Sequence, residues 1–180
     1  LVEGPSDVVF LRHTAEQLKA GGYISATLEE RGLLPVSIGG CDLLKHWIAK
    51  RIAEQFNIPW ALLLDSDSGT PENGKNLAQV QALKQLGKKA YVTRKREPEN
   101  YILPEVVLPH ITCGVTVTWT DTSDAKKDIG SATSKSQGEV LEFFWTQMNA
   151  EQIRRAEKYI EDGQEKFELT EILSDFLTLS

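Results

Sequence analysis

The sequence predicts an α/β protein in which a parallel four-stranded sheet is flanked by helices and followed by a smaller helical region. Short apolar runs alternate with stretches of helical spacing in the order β-α-β-α-β-α-β through about residue 104, and such alternation is satisfied by a parallel sheet with right-handed crossovers. The run Trp60 to Leu64 is apolar at every position, as a strand covered on both faces must be. Carboxylates, moreover, fall repeatedly where the predicted strands end.

Each element has its own local reason. Leu1 and Val2 read as the end of a strand whose beginning is missing. Val8, Val9, Leu11, Ala15 and Leu18 recur at helical spacing, with Ser6 as a candidate N-cap and Gly21-Gly22 as the stop. The β-branched segment from Leu33 to Gly40 predicts a second strand, and Leu43, Leu44, Trp47, Ile48, Ile52 and Phe56 predict a second helix. After the strand at Trp60 to Leu64, a Gly/Pro/Asn-rich turn leads into a helix marked by Leu77, Val80, Leu83 and Leu86, and Lys88 to Thr93 predicts the fourth strand. Residues 1–104 are therefore expected to form the core, 105–137 a Thr/Ser/Asp/Lys-rich connection broken by a strand-like Val115 to Trp119, and 138–180 a helical region.

The composition narrows the function classes. The chain has 180 residues, 41% of them apolar, and a formal charge of -6, which argues against a protein that coats nucleic acid by phosphate neutralisation alone. No apolar run approaches the roughly 20 residues of a membrane span and no signal-peptide pattern opens the chain, so a cytoplasmic location is expected. Cys41 and Cys113 lack metal-ligand spacing and are expected to be reduced, partly buried bystanders.

In open parallel sheets ligands bind beyond the carboxyl ends of the strands. Glu3 ends the first predicted strand and Asp7 opens the helix after it; Asp65 and Asp67 follow the third strand; Glu97 and Glu99 follow the fourth. Taken singly, Asp7 suits a helix N-terminus, Asp65 and Asp67 suit a turn, and Glu97 and Glu99 suit solvated surface. Their common edge is what turn chemistry leaves unexplained. Converging carboxylates repel one another unless hard cations such as Mg²⁺ or Mn²⁺ sit among them, and two such ions can serve phosphoryl transfer.

These residues carry a family resemblance. The string LVEGPSDVVFL followed by LLLDSDSG resembles the Toprim domain, and KREPENYI, with a weaker echo in SKSQGEV, is similar to the OLD (overcoming lysogenization defect) family of ATP-dependent endonucleases. The resemblance implies a metal-dependent DNA endonuclease or nickase working by a two-metal mechanism, with Glu3, Asp7, Asp65, Asp67, Glu97 and Glu99 as metal ligands. Glu3 and Asp65 would be catalytic, and a lysine near the scissile phosphate, Lys135 first and Lys127 second, would stabilise transferring charge. Arg94, Lys95 and Arg96 are candidate contacts to the DNA backbone, and Lys88-Lys89 and Lys126-Lys127 are further basic runs of the same kind. Tyr101 and Trp119 could stack on bases but are expected in the core.

An ATPase region preceding the Toprim domain is implied as a partner, with homo-oligomerisation through it. No GxxxxGK[ST] loop occurs in this sequence, so ATP binding by this chain is not expected. Topoisomerase-like or primase-like phosphotransfer and a non-catalytic DNA-binding module are the alternatives. A haloacid-dehalogenase-like phosphatase fits less well, since Asp65 follows two earlier strands and the Thr70 register is off by one.

Overall fold

The computed structural model describes residues 1–39 and 57–179. The second helix expected from Asp42 to Phe56, with Cys41 and His46, lies outside the described residues.

The first helix, α1 (Pro5–Ala20), starts where Pro5 presets the backbone and Gly4 caps it, and the Asp7 carboxylate accepts the Gly4 N–H at 2.8 Å. Ser6, expected as the cap, lies inside the first turn. The helix stops at Gly21, and Gly22 follows with φ 75°. Strand β1 (Ala61–Leu64) pairs in parallel with β2 (Lys89–Val92), and α2 (Asn73–Gln85) makes the crossover between them. All four β1 residues are buried, alternating between two cores. Leu62 and Leu64 pack with Ile38, Val80, Leu83 and Ala90 on the α2 side, whereas Ala61 and Leu63 join the larger core around α1.

Among the described residues the expected four-stranded sheet is corrected to a two-stranded parallel one. Residues 1–3 and 36–39 run alongside it but form only a single bridge, Val2 with Ser37. Leu1 bonds Ala61 and Leu63, and the Glu3 carbonyl accepts from Gly39. The extended run is cut short on one side by Gly4-Pro5 and on the other by Gly39 at φ 77°, so no ladder propagates. The strand expected at Val115 to Trp119 is likewise absent, since the segment carries no regular element.

Downstream, a 3₁₀ turn (Pro98–Tyr101), α3 (Pro104–Val107), α4 (Ala125–Thr133), α5 (Gln137–Trp145) and α6 (Ala150–Glu157) pack around α1. The terminal region is not purely helical. An antiparallel hairpin, β3 (Lys158–Glu161) with β4 (Gln164–Phe167), precedes α7 (Glu168–Phe176). Asp162 and Gly163 turn it with positive φ at both positions, the two-residue hairpin geometry that Asp-Gly favours. Cys113 is exposed rather than partly buried. Tyr101 is buried, and Trp119 packs against the core with its indole N–H bonded to the Ile102 carbonyl at 3.2 Å.

Phe10 centres the larger core, with ring centroids 4.7 Å from Trp145 and 6.0 Å from Tyr101. The Trp145 N–H donates to the Phe10 carbonyl and the Thr14 hydroxyl, tying α5 to α1. Phe10→Ala is expected to destabilise the fold by about 3–5 kcal/mol, measured by urea unfolding followed by circular dichroism.

Candidate functional site

The backbone around β1 brings separate acidic residues to one edge. Leu1 bonds on either side of Leu62, so Glu3 arrives level with the end of β1, where Asp65 begins the turn. Asp7 is returned to the same edge because it caps the helix that starts there. The turn after β1 is held on both sides. Ser66 donates to the Lys95 carbonyl at 2.8 Å, Asp67 N–H to the Arg96 carbonyl at 2.9 Å, and Asn76 bonds both the Asp65 carbonyl and the Asp67 carboxylate. Asp67 itself adopts φ 50°, a left-handed conformation that Asp tolerates better than most residues.

The arm after β2 folds back over this turn. Asn100 organises it: its side-chain oxygen accepts the Glu97 N–H at 3.1 Å, and its NH₂ donates to the Thr120 and Ser123 carbonyls at 2.6 and 3.0 Å. Glu97 accepts the Lys126 backbone N–H at the first turn of α4. The Lys126 ammonium stands 3.3 Å from Glu99 and 3.8 Å from Glu97. Glu99 is only 1% exposed, and its Oε2 has no hydrogen-bond partner.

Protonation follows from this crowding. Burial, reinforced by the charges of Asp7, Glu3, Glu99 and Asp67, holds the Asp65 carboxyl well above its ordinary range. Burial raises Asp7 as well, against the Gly4 hydrogen bond and the Lys126 charge, and raises Asp67 against its Asn76 bond. Glu97 is raised by burial despite Lys126, and Glu99 is pushed up to about 7 for the same reason. Burial works to lower Lys126, but Glu99, Glu97 and Asp65 outweigh it and the ammonium is raised. Lys126, expected only as part of a basic run, thus pairs with Glu97 and Glu99 and lends its charge to Asp7, Asp65 and Asp67.

The other selected residues lie differently. Lys135 places its ammonium over the Phe143 ring at 3.8 Å, and Lys127 is exposed, its backbone N–H bonded to the capping Asp124. Arg94 stacks on Tyr159 at 4.0 Å, Lys95 pairs with Asp121 at 3.1 Å, and Arg96 approaches Asp124 at 3.6 Å. Lys95 and Arg96 thus fasten the 121–124 loop beside the site. Lys89 is engaged with Asp175 and Thr178 near the end of α7.

The donor set suits a hard divalent cation: it consists of carboxylate oxygens, and Glu99 offers a buried oxygen without a partner. Among the described residues no three His, Cys, Asp or Glu side chains already surround a common point closely enough to hold an ion. A cation would have to draw them together.

The described residues form an α/β core with acidic residues at the carboxyl edge of its parallel strands. Residues 1–67 match the family described as overcoming lysogenization defect protein-like, TOPRIM domain. No curated protein and no solved structure matches the chain. The match covers Glu3, Asp7, Asp65 and Asp67; Glu97, Glu99 and Lys126 lie beyond it. Among the described residues no helix is long and apolar enough to cross a membrane.

Asn100→Ala removes a buried side chain that donates to the backbone of Thr120 and Ser123 and accepts from that of Glu97. It is expected to cost about 1–3 kcal/mol and to lower Tm by several degrees in a thermal melt.

Proposed function

We propose that the acidic edge binds divalent metal, Mg²⁺ or Mn²⁺, and hydrolyses phosphodiester bonds of DNA, nicking or cutting as an endonuclease. The observation that carries this reading is the convergence of half-buried Asp65 with the charges of Asp7, Glu3, Glu99 and Asp67, with Lys126 paired to Glu97 and Glu99 beside them. The Toprim match over residues 1–67 supports a metal-dependent enzyme acting on nucleic acid.

In this reading Glu3, Asp7, Asp65 and Asp67 hold one ion, and Glu97 and Glu99 supply the arm for a second. Bound ions would supply Lewis-acid activation of the attacking oxygen and charge stabilisation of the departing one. The protein's own contribution is positional. Asn76 and Asn100 fix the two acidic turns, and the crowded carboxylates remain together only because the fold holds them there. Lys126 takes the role expected of Lys135 or Lys127, because its ammonium stands within 4 Å of Glu97 and Glu99 at this edge. It would stabilise negative charge on the transferring phosphoryl group. Arg94 and the basic runs would contact the DNA backbone, and an ATPase region with oligomerisation through it belongs to the same reading.

The test is nicking of supercoiled plasmid with Mg²⁺ or Mn²⁺. Wild-type protein is expected to convert plasmid to open circles, and Asp65→Asn to reduce the rate at least about 100-fold while circular dichroism stays unchanged. Wild-type protein that binds DNA but leaves plasmid intact at every metal concentration would leave only the binding-module reading.

A further inference from the structure

Lys126 occupies the position that the second-ion arm would need. Its ammonium lies 3.3 Å from Glu99 and 3.8 Å from Glu97, its side chain is 32% exposed, and its backbone N–H is held by Glu97 at 3.2 Å. Those two glutamates are therefore already engaged with a cation tethered to the protein. The opposite part of the edge differs: Asp67 is held by the neutral Asn76 amide, and the Asp7 carboxylate by the Gly4 N–H. A divalent ion arriving at Asp65 would meet Asp7 and Asp67, whose direct hydrogen bonds are to neutral donors and which feel Lys126 only at longer range, whereas one arriving at Glu97 and Glu99 must share space with an ammonium in direct contact or expel it. Glu99 retains a buried oxygen that Lys126 does not satisfy, so the arm is only half compensated and can still recruit an ion.

We propose that Lys126 is a built-in competitor for the second metal ion, so that the edge fills in two unequal steps, first around Glu3, Asp7, Asp65 and Asp67, then at Glu97 and Glu99 with displacement of Lys126. This rests on the metal-binding reading above and extends it to the order of occupancy. The geometry supplies the switch. Lys126 sits at the first turn of α4, where its backbone is fixed by Glu97 while a four-carbon stem can swing the ammonium away. The second ion therefore binds weakly until the ammonium finds another anion, and a phosphate entering the edge is such an anion. Substrate and second ion would then assist one another through a single side chain.

Counting bound Mn²⁺ by electron paramagnetic resonance of the free ion, on the whole chain without DNA, tests this without relying on activity. Wild type is expected to show one tighter and one weaker site. Lys126→Met should tighten the weaker site about tenfold or more, the loss of a neighbouring unit charge, and leave the tighter one within about threefold. Lys126→Arg, which keeps the charge, should retain the wild-type inequality and guards against a fold effect, as does an unchanged circular dichroism spectrum for both variants. Two sites in wild type whose affinities are indifferent to Lys126→Met would overturn the competitor and leave the metal reading standing. No Mn²⁺ bound by any of the three proteins would overturn both.

Discussion

Holding Asp65 beside Asp7, Glu3, Glu99 and Asp67 is the constraint on which the remaining structure depends. Two unit charges 4 Å apart repel by about 4 kcal/mol at an effective dielectric of about 20, so a fold gains nothing by gathering carboxylates unless something answers their charge. Two answers stand out among the described residues. Burial favours the protonated form of these carboxyls and pushes the Glu99 carboxyl up to about 7. Lys126 supplies the other, and its own ammonium is stabilised in return.

Much of the architecture serves to bring that lysine to that edge. Asn100 fixes the 97–101 turn to the loop at 120–123, Lys95 and Arg96 fasten the same loop through Asp121 and Asp124, and Asp124 caps α4. The carboxyl-terminal elements join in from the far side. Glu168, at the start of α7, accepts the Arg94 N–H at 2.6 Å and the Tyr101 hydroxyl at 2.5 Å, bracketing the arm that carries Glu97 and Glu99. Asp175 accepts the Tyr91 hydroxyl at 2.8 Å, so α7 also clamps β2. Helix α7 is thus a structural support for the edge as well as packing for the larger core.

Strand β1 and its following carboxylates were legible because a uniformly apolar run ending in Asp-Ser-Asp has few other uses in an α/β chain. The grouping of Glu97 and Glu99 with them followed from strand order. Lys126 was missed because two adjacent lysines look alike until the phase of α4 is known. On the helix Lys126 shares a face with Ile129, Gly130 and Thr133, all buried, whereas Lys127 shares one with the exposed Ser131 and Ser134. Asp124 as N-cap, read with that periodicity, carried the signal. The hairpin was hidden for a related reason: its apolar residues mimic helical spacing, and the Asp162-Gly163 turn was the stronger cue. The shortened sheet had no such cue, since one bridge in place of a ladder depends on where Gly4-Pro5 and Gly39 bend the chain.

A cation site at the end of β1 is to be told apart from a protonated cluster neutralised by Lys126. A crystal of the protein soaked in millimolar Mn²⁺ and measured at the manganese absorption edge tests it directly. The account predicts an anomalous peak within roughly 2–2.5 Å of an Asp65 oxygen, with Glu3 or Asp67 completing the contact. An ordered edge that shows no anomalous peak, with Asp65 still enclosed by its neighbouring carboxylates, would contradict it.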